Sequence, residues 1–321
     1  MKKLTKLLTC SLIICTLLLS GCNKSGSASD NDASTSVAGN QSTEYTSEKS
    51  TENQSQSEEP STEEPSTEEP TTKADTTSPD YYGTLYTKEE LEAIDNTSHT
   101  YGPGVHVDEL NRPYASTNAQ DTYGQWDAYF IMPDDGNNVY LTFDLGYEYN
   151  NNTPKILDIL KEKGVKAVFF ATLDFAKRNP ETVQRIIDEG HILGNHSANH
   201  IAMPTLSVEE MRDEIMIMHN YILENYGYEM FLFRPPTGAF SDRSLAVTQS
   251  LGYKTVIWSF AYYDYDTANQ PEYTAALDKV SNAAHPGALY LLHGVSNTNV
   301  EILPALIDSL KANNYNIELF R

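Results

Sequence analysis

From Val139 onward, short apolar runs alternate with segments of helical character. The runs VYLTF, KAVFFAT, HILGN, MFLFR, KTVIWSF, GALYLLH and NIELF are strand-like. Between them lie TPKILDILKEKG, PETVQRIIDEG, SVEEMRDEIMIMHNYILENYG, SDRSLAVTQSLG and NVEILPALIDSLKANN, which read as helices. Pro154 and Pro180 suit first-turn positions, Ser207 and Glu210 are placed for a capping box, and Gly164, Gly190, Gly227 and Gly252 stand where helices should stop. This alternation predicts an α/β domain with a parallel sheet. Seven strands leave a choice between an open doubly wound sheet and a closed or distorted barrel. The first strand-to-helix turn lacks the phosphate-binding glycine fingerprint, which speaks against a nucleotide-binding open sheet.

Upstream the pattern changes twice. Residues 81–138 hold a short helix at TKEELEAI, capped by Thr87 with Glu90 three residues on, and then a Tyr, Gly and Pro-rich stretch. They read as an extension packed on the domain. Residues 23–80 are rich in Ser, Thr and Glu, include EEPSTEEPSTEEPTT, and cannot bury enough apolar surface to fold.

Residues 1–22 have the layout of a secretion signal: Lys2, Lys3 and Lys6, then an apolar run from Leu7 to Leu19, then LSGC. Leu19, Ser20, Gly21 and Cys22 resemble the bacterial lipobox, whose cysteine is lipidated. The expectation is an exported lipoprotein, held by Cys22 at the outer face of the bacterial cytoplasmic membrane and carried on an acidic tether. Cys10, Cys15 and Cys22 are the chain's three cysteines. The exported part therefore has no disulfide, thiol nucleophile or cysteine-bound zinc, and any metal must use His, Asp or Glu.

Of the net charge of −23, the tether contributes −10 and residues 81–321 contribute −16, offset by +3 from the signal segment. An acidic domain on an acidic tether excludes nucleic-acid binding through Lys and Arg.

The polar residues decide between the two sheet types. Asp144 ends the first strand, NHSANH the third and Arg234 the fourth; Asp264 follows the fifth and His293 ends the sixth. Five strand ends that each deliver a titratable or cationic residue to one rim favour the barrel, where the carboxyl ends of strands carry the chemistry. His196 and His200, four apart, would share one face of a helical turn and could hold a divalent cation. Alone, the pair is equally a structural one, with Asn195 and Ser197 drawing it into the hydrogen-bond network of a turn. Asp144 could be a helix cap, RPPTG a rigid turn and His293 a satisfied structural histidine. Taken together, a carboxylate, a metal pair, an acid histidine and a supporting Asp and Arg describe hydrolysis by activated water. No GxSxG elbow points to an acyl-enzyme.

TFDLG, HSANH, RPPTG, WSFAYYDY and LLH, in this order, resemble the motifs of the polysaccharide deacetylases, the NodB homology domain of carbohydrate esterase family four, over residues 139–321. GYE, EGHILGNHS and AHPGALYLLH look closer to the peptidoglycan N-acetylmuramic acid deacetylases of spore formers.

The resemblance implies a distorted (β/α)7 barrel and N-deacetylation of a wall glycan. It implies Asp144 as general base, His196 and His200 as ligands of a divalent metal such as zinc, and His293 as the acid. Arg234 would tune Asp144 and Asp264 would tune His293, with Tyr265 where the family often has tryptophan. Leu145 is the departure, because most of the family has there a second Asp that is the third metal ligand. That subgroup looks relaxed at the same position, and Glu148 is a conceivable replacement oxygen ligand. Peptidoglycan is the implied partner. The alternatives are N-acetylglucosamine, chitin or O-acetyl xylan as substrate, or a catalytically weak glycan-binding lipoprotein.

Overall fold

The computed structural model describes residues 78, 80–133 and 136–321, all within one compact unit. The signal segment, Cys22 and nearly all of the acidic tether lie outside the described residues. No helix among the described residues is long and apolar enough to cross a membrane.

Strand β2 (Asn138–Leu145) is central and pairs in parallel with β3 (Val168–Ala171) on one side and β8 (Ala288–His293) on the other. Beyond β3 come β4 (Ile192–Asn195), β5 (Leu232–Phe233), β6 (Lys254–Val256) and β1 (Ala128–Tyr129), and beyond β8 comes β7 (Phe260–Ala261). The short β9 (Asn316–Ile317) pairs with the start of β2. All these ladders are parallel.

The run KTVIWSF, read above as one strand, is two. Its start, β6, pairs with β5, and its end, together with Ala261, forms β7 on β8. One chain segment thus supplies both the strand beside β1 near one end of the order and the strand at the other end, so the sheet curls round into the distorted barrel. The break is what lets the segment change neighbours. Strand β1 joins the sheet from within residues 81–138, pairing Ala128 with Thr255.

Helices α3 (Asn152–Lys163), α5 (Pro180–Asp188), α6 (Val208–Tyr226), α7 (Asp242–Ser250) and α9 (Asn297–Ala312) match the five helical segments of the sequence to within two residues at each end. The capping box of Ser207 and Glu210 forms, and Gly164 and Gly227 end their helices at φ 64 and 62. Three helices were not visible in the pattern: α2 (Tyr114–Tyr123), α4 (Leu173–Arg178) and α8 (Tyr273–Asn282). Helix α1 (Lys88–Ala93) forms with its Thr87–Glu90 capping box.

Residues 87–123 pack along the domain through named bonds. Arg243 Nε donates to the Ile94 carbonyl at 3.0 Å, and Asn111 Nδ2 to that of Ala284 at 2.9 Å. The Tyr101 hydroxyl donates to the Trp258 carbonyl at 2.9 Å.

The two-residue period of β2 sorts its side chains. Val139, Leu141, Phe143 and Leu145 join the core cluster with Ile156, Leu160 and Leu303 of the helical layer. Tyr140 packs in the other cluster with Val168, Phe170, Leu232, Val256 and Leu289, the barrel's interior. Thr142 and Asp144 share the face of Tyr140, so Asp144 arrives at the carboxyl end of β2 pointing inward. Leu145, next in line, points into the helical layer and is fully buried.

Candidate active site

A cavity of about 450 Å³ opens at the carboxyl ends of the strands, and Asp144, His196, His200, Pro235, Trp258, Tyr265 and His293 help to line it. Arg234 and Asp264, both with no exposed surface, stand behind this wall. The six residues singled out in the sequence therefore meet at one place.

Arg234 is fixed by four hydrogen bonds. Nη1 donates to Asp144 Oδ1 and to Thr142 Oγ1, each at 2.7 Å; Nε donates to the Val256 carbonyl at 3.0 Å and Nη2 to that of Ile257 at 2.8 Å. Its guanidinium also lies 4.2 Å from the centre of the Phe170 ring. Burial disfavours charge on Asp144, but the Arg234 guanidinium together with the neighbouring His196 and His293 outweighs it and holds the carboxyl below its usual range. Asp144 is thus a carboxylate at neutral pH, with Oδ2 turned to His196 Nε2 at 3.5 Å.

His196 and His200 do not sit on a helical turn, as their spacing suggested. The segment is a loop in which Ser197 and His200 take left-handed φ of 72 and 58. Asn195 Oδ1 accepts from Ser197 N at 2.8 Å and Ser197 Oγ from His200 N at 2.9 Å, the turn network weighed above as an alternative. These bonds still bring the two rings together, their centres 4.9 Å apart. His196 Nδ1 donates to the Arg234 carbonyl at 2.8 Å. Burial pushes His196 down to about 4, so the ring is neutral and its Nε2 carries the free lone pair.

Two imidazoles suit a borderline divalent cation, and the backbone bond on His196 Nδ1 is the support that metal-bound histidines usually have. Among the described residues no group of three His, Cys, Asp or Glu is placed to hold a metal ion. Leu145 supplies no donor and lies on the far face of the sheet. Glu148 does not line the cavity, and its Oε1 accepts the backbone N–H groups of Asn152 at 2.8 Å, Tyr149 at 3.1 Å and Thr153 at 3.3 Å, capping α3.

His293 donates from Nδ1 to Asp264 Oδ1 at 2.7 Å, and its backbone N–H donates to Oδ2 at 2.9 Å. Burial lowers the pKa of His293, but the bond to Asp264 and its charge outweigh this and raise it above 6.5. With Nδ1 occupied, Nε2 is the nitrogen left for the cavity. Tyr265 closes over His293, ring centres 5.5 Å apart. Thr142, Trp258 and Tyr262 escaped the sequence reading because each lies within an apolar run, where nothing separates a site residue from core.

A fixed carboxylate, a histidine pair and a histidine held by a buried carboxylate on one rim of a parallel barrel define a hydrolase, and the chain belongs to the polysaccharide deacetylase family. It matches that family, described as polysaccharide deacetylase, over residues 132–256. Among relatives, it is 38% identical over 227 residues to the peptidoglycan-N-acetylmuramic acid deacetylase PdaA of Bacillus subtilis, covering 70% of this chain and 86% of PdaA. The solved structure of B. subtilis PdaA, a family 4 carbohydrate esterase, superposes with a TM-score of 0.66 at 36% identity, covering 70% of this chain and 96% of that one. A peptidoglycan-N-acetylglucosamine deacetylase of Bacillus cereus is 32% identical over 175 residues, covering 54% of this chain and 81% of its own. The distorted barrel and the deacetylase class expected from the motifs thus stand. The chain is an enzyme of carbohydrate esterase family four.

Proposed function

We propose that this chain removes acetate from the N-acetylmuramic acid residues of peptidoglycan, working from a lipid anchor on Cys22 at the outer face of the cytoplasmic membrane. The observation that carries the chemistry is two supported groups facing one cavity, the Asp144 carboxylate held by Arg234 and the His293 imidazole held by Asp264. Asp144 takes a proton from water, whose oxygen attacks the acetyl carbon. Arg234 holds the carboxylate in place and keeps it ionised until then. His293 gives its Nε2 proton to the nitrogen as the carbon–nitrogen bond breaks, and Asp264 stabilises the imidazolium beforehand. Acetate and a free amine leave.

His196 and His200 would hold the divalent cation, which when bound polarises the carbonyl. The ring of Tyr265 offers a sugar-sized apolar face beside the acid. Muramic acid is preferred over glucosamine because PdaA matches over more of this chain, and at higher identity, than the glucosamine deacetylase does.

Purified full-length chain is incubated with peptidoglycan, and the products are reduced and acid-hydrolysed so that de-acetylated muramic acid and glucosamine units are counted separately. The reading predicts free amines on muramic acid. Free amines on glucosamine alone would overturn the choice of sugar, and none on either would overturn peptidoglycan as the substrate.

A further inference from the structure

Asn299 stands three residues inside the cap of α9, is 1% exposed, and has no part in the steps above. We infer that Asn299 is a positioning residue for His293, acting through Asp264; this rests on the deacetylase reading. The Asp264 carboxylate receives three N–H groups. Oδ1 takes His293 Nδ1, and Oδ2 takes the His293 backbone N–H together with Asn299 Nδ2 at 2.6 Å. The same Nδ2 reaches the His293 carbonyl at 3.1 Å. One amide therefore grips both the carboxylate that holds the imidazole and the backbone that carries it.

Chemistry fixes which way the amide points. Carboxylate and carbonyl oxygens only accept, so the NH2 end must face them. On the other side Oδ1 accepts from the Tyr262 hydroxyl.

The helix end that carries Asn299 is itself tied to the loop that carries Asp264. Asn299 N donates to Ser296 Oγ at 3.1 Å, and Ser296 Oγ donates to Gln270 Oε1 at 2.7 Å. Gln270 Nε2 donates to the carbonyls of Asp264 at 3.1 Å and Asp266 at 2.7 Å. Without the Asn299 amide, Oδ2 loses one of its two donors and the carboxylate can turn out of line with Nδ1. The imidazole then loses both its fixed direction and part of the support for its proton.

Hydrogen-bond partners that orient metal-bound histidines typically contribute about 10- to 100-fold in metal affinity or activity, and the same order is expected of the group that orients an acid histidine. In the full-length chain, Asn299→Ala should lower kcat for acetate release by about that factor, with KM changed by less than about two-fold. The alkaline limb of its pH profile should move to lower pH. Tyr262→Phe, which frees the other end of the amide, should do the same more weakly, and it decides the matter if Asn299→Ala does not fold.

A readout independent of turnover is the Nδ1 proton of His293 in the NMR spectrum of histidine-labelled protein, assigned by its loss in Asp264→Asn. It should be sharp and far downfield in the native chain, and broadened or shifted upfield in Asn299→Ala. An unchanged Nδ1 signal with unchanged kcat per folded molecule would overturn the inference. A native chain that releases no acetate would instead overturn the deacetylase reading, and the Nδ1 signal would then decide the positioning role by itself.

Discussion

Replacing Arg234 by Met removes a buried cation and keeps much of its volume. Asp144, 7% exposed, then loses its counter-charge, and breaking a buried ion pair by deleting one partner costs about 3–5 kcal/mol. The Val256 and Ile257 carbonyls each lose a donor, adding about 1 kcal/mol apiece. Thr142 Oγ1 still donates to the Tyr290 carbonyl and adds little. The total at pH 7 is about 5–7 kcal/mol, a large part of the stability of any domain.

The pH dependence carries the sign. In the native protein the lowered pKa of Asp144 contributes stability that is complete above the unfolded carboxylate value, and lost only as pH falls through the folded one. In Arg234→Met burial is opposed by much less, so the pKa of Asp144 rises above the unfolded value. The penalty is then greatest at pH 7 and shrinks as the carboxylate takes up a proton. Urea unfolding of the full-length chain, followed by the fluorescence of its two tryptophans, measures the deficit at pH 7 and pH 5. A deficit at pH 7 below about 1 kcal/mol, or one just as large at pH 5, would refute the reasoning. Arg234→Lys keeps the charge but not the fork, and should lie between the two.

Asp264→Asn withdraws the support that raises the pKa of His293; since the acid must be protonated, the alkaline limb of kcat/KM should move to lower pH, and an unmoved limb would remove Asp264 from this role. His196→Ala with His200→Ala should abolish the zinc retained after loading and brief dialysis, measured by elemental analysis, whereas equal retention would place the metal elsewhere. Glu148→Ala should cost about 1 kcal/mol in urea unfolding through the lost cap of α3 while metal content stays constant; a fall in metal content would mean that Glu148 is a ligand after all.

The strands and long helices were legible because parallel strands buried on both faces leave near-continuous apolar runs, and because caps such as Ser207–Glu210 have a chemical signature. Helices α2, α4 and α8 were not: α4 has six residues, and α2 and α8 lie where the polar pattern looks like a loop. The break between β6 and β7 was hidden because KTVIWSF has no residue that marks a change of neighbour. The titratable residues of the site could be found from their places at strand ends. Asn299 could not, because its partner Asp264 lies 35 positions away and only the fold brings them together. The order of Asp144 and Leu145 needed the strand's period: one faces the cavity and the other the helical layer. The family resemblance made Leu145 the place of an absent ligand, and the structure adds where its side chain goes, into the buried helical layer.

Acetate release from purified peptidoglycan by the full-length chain and by Asp144→Asn, with the two proteins matched for folded content, tests the central claim most directly. The account predicts steady release by the native chain and a loss of at least about 100-fold in the variant, the lower end of the range for general acid–base catalysis. Equal release by the two proteins would contradict it.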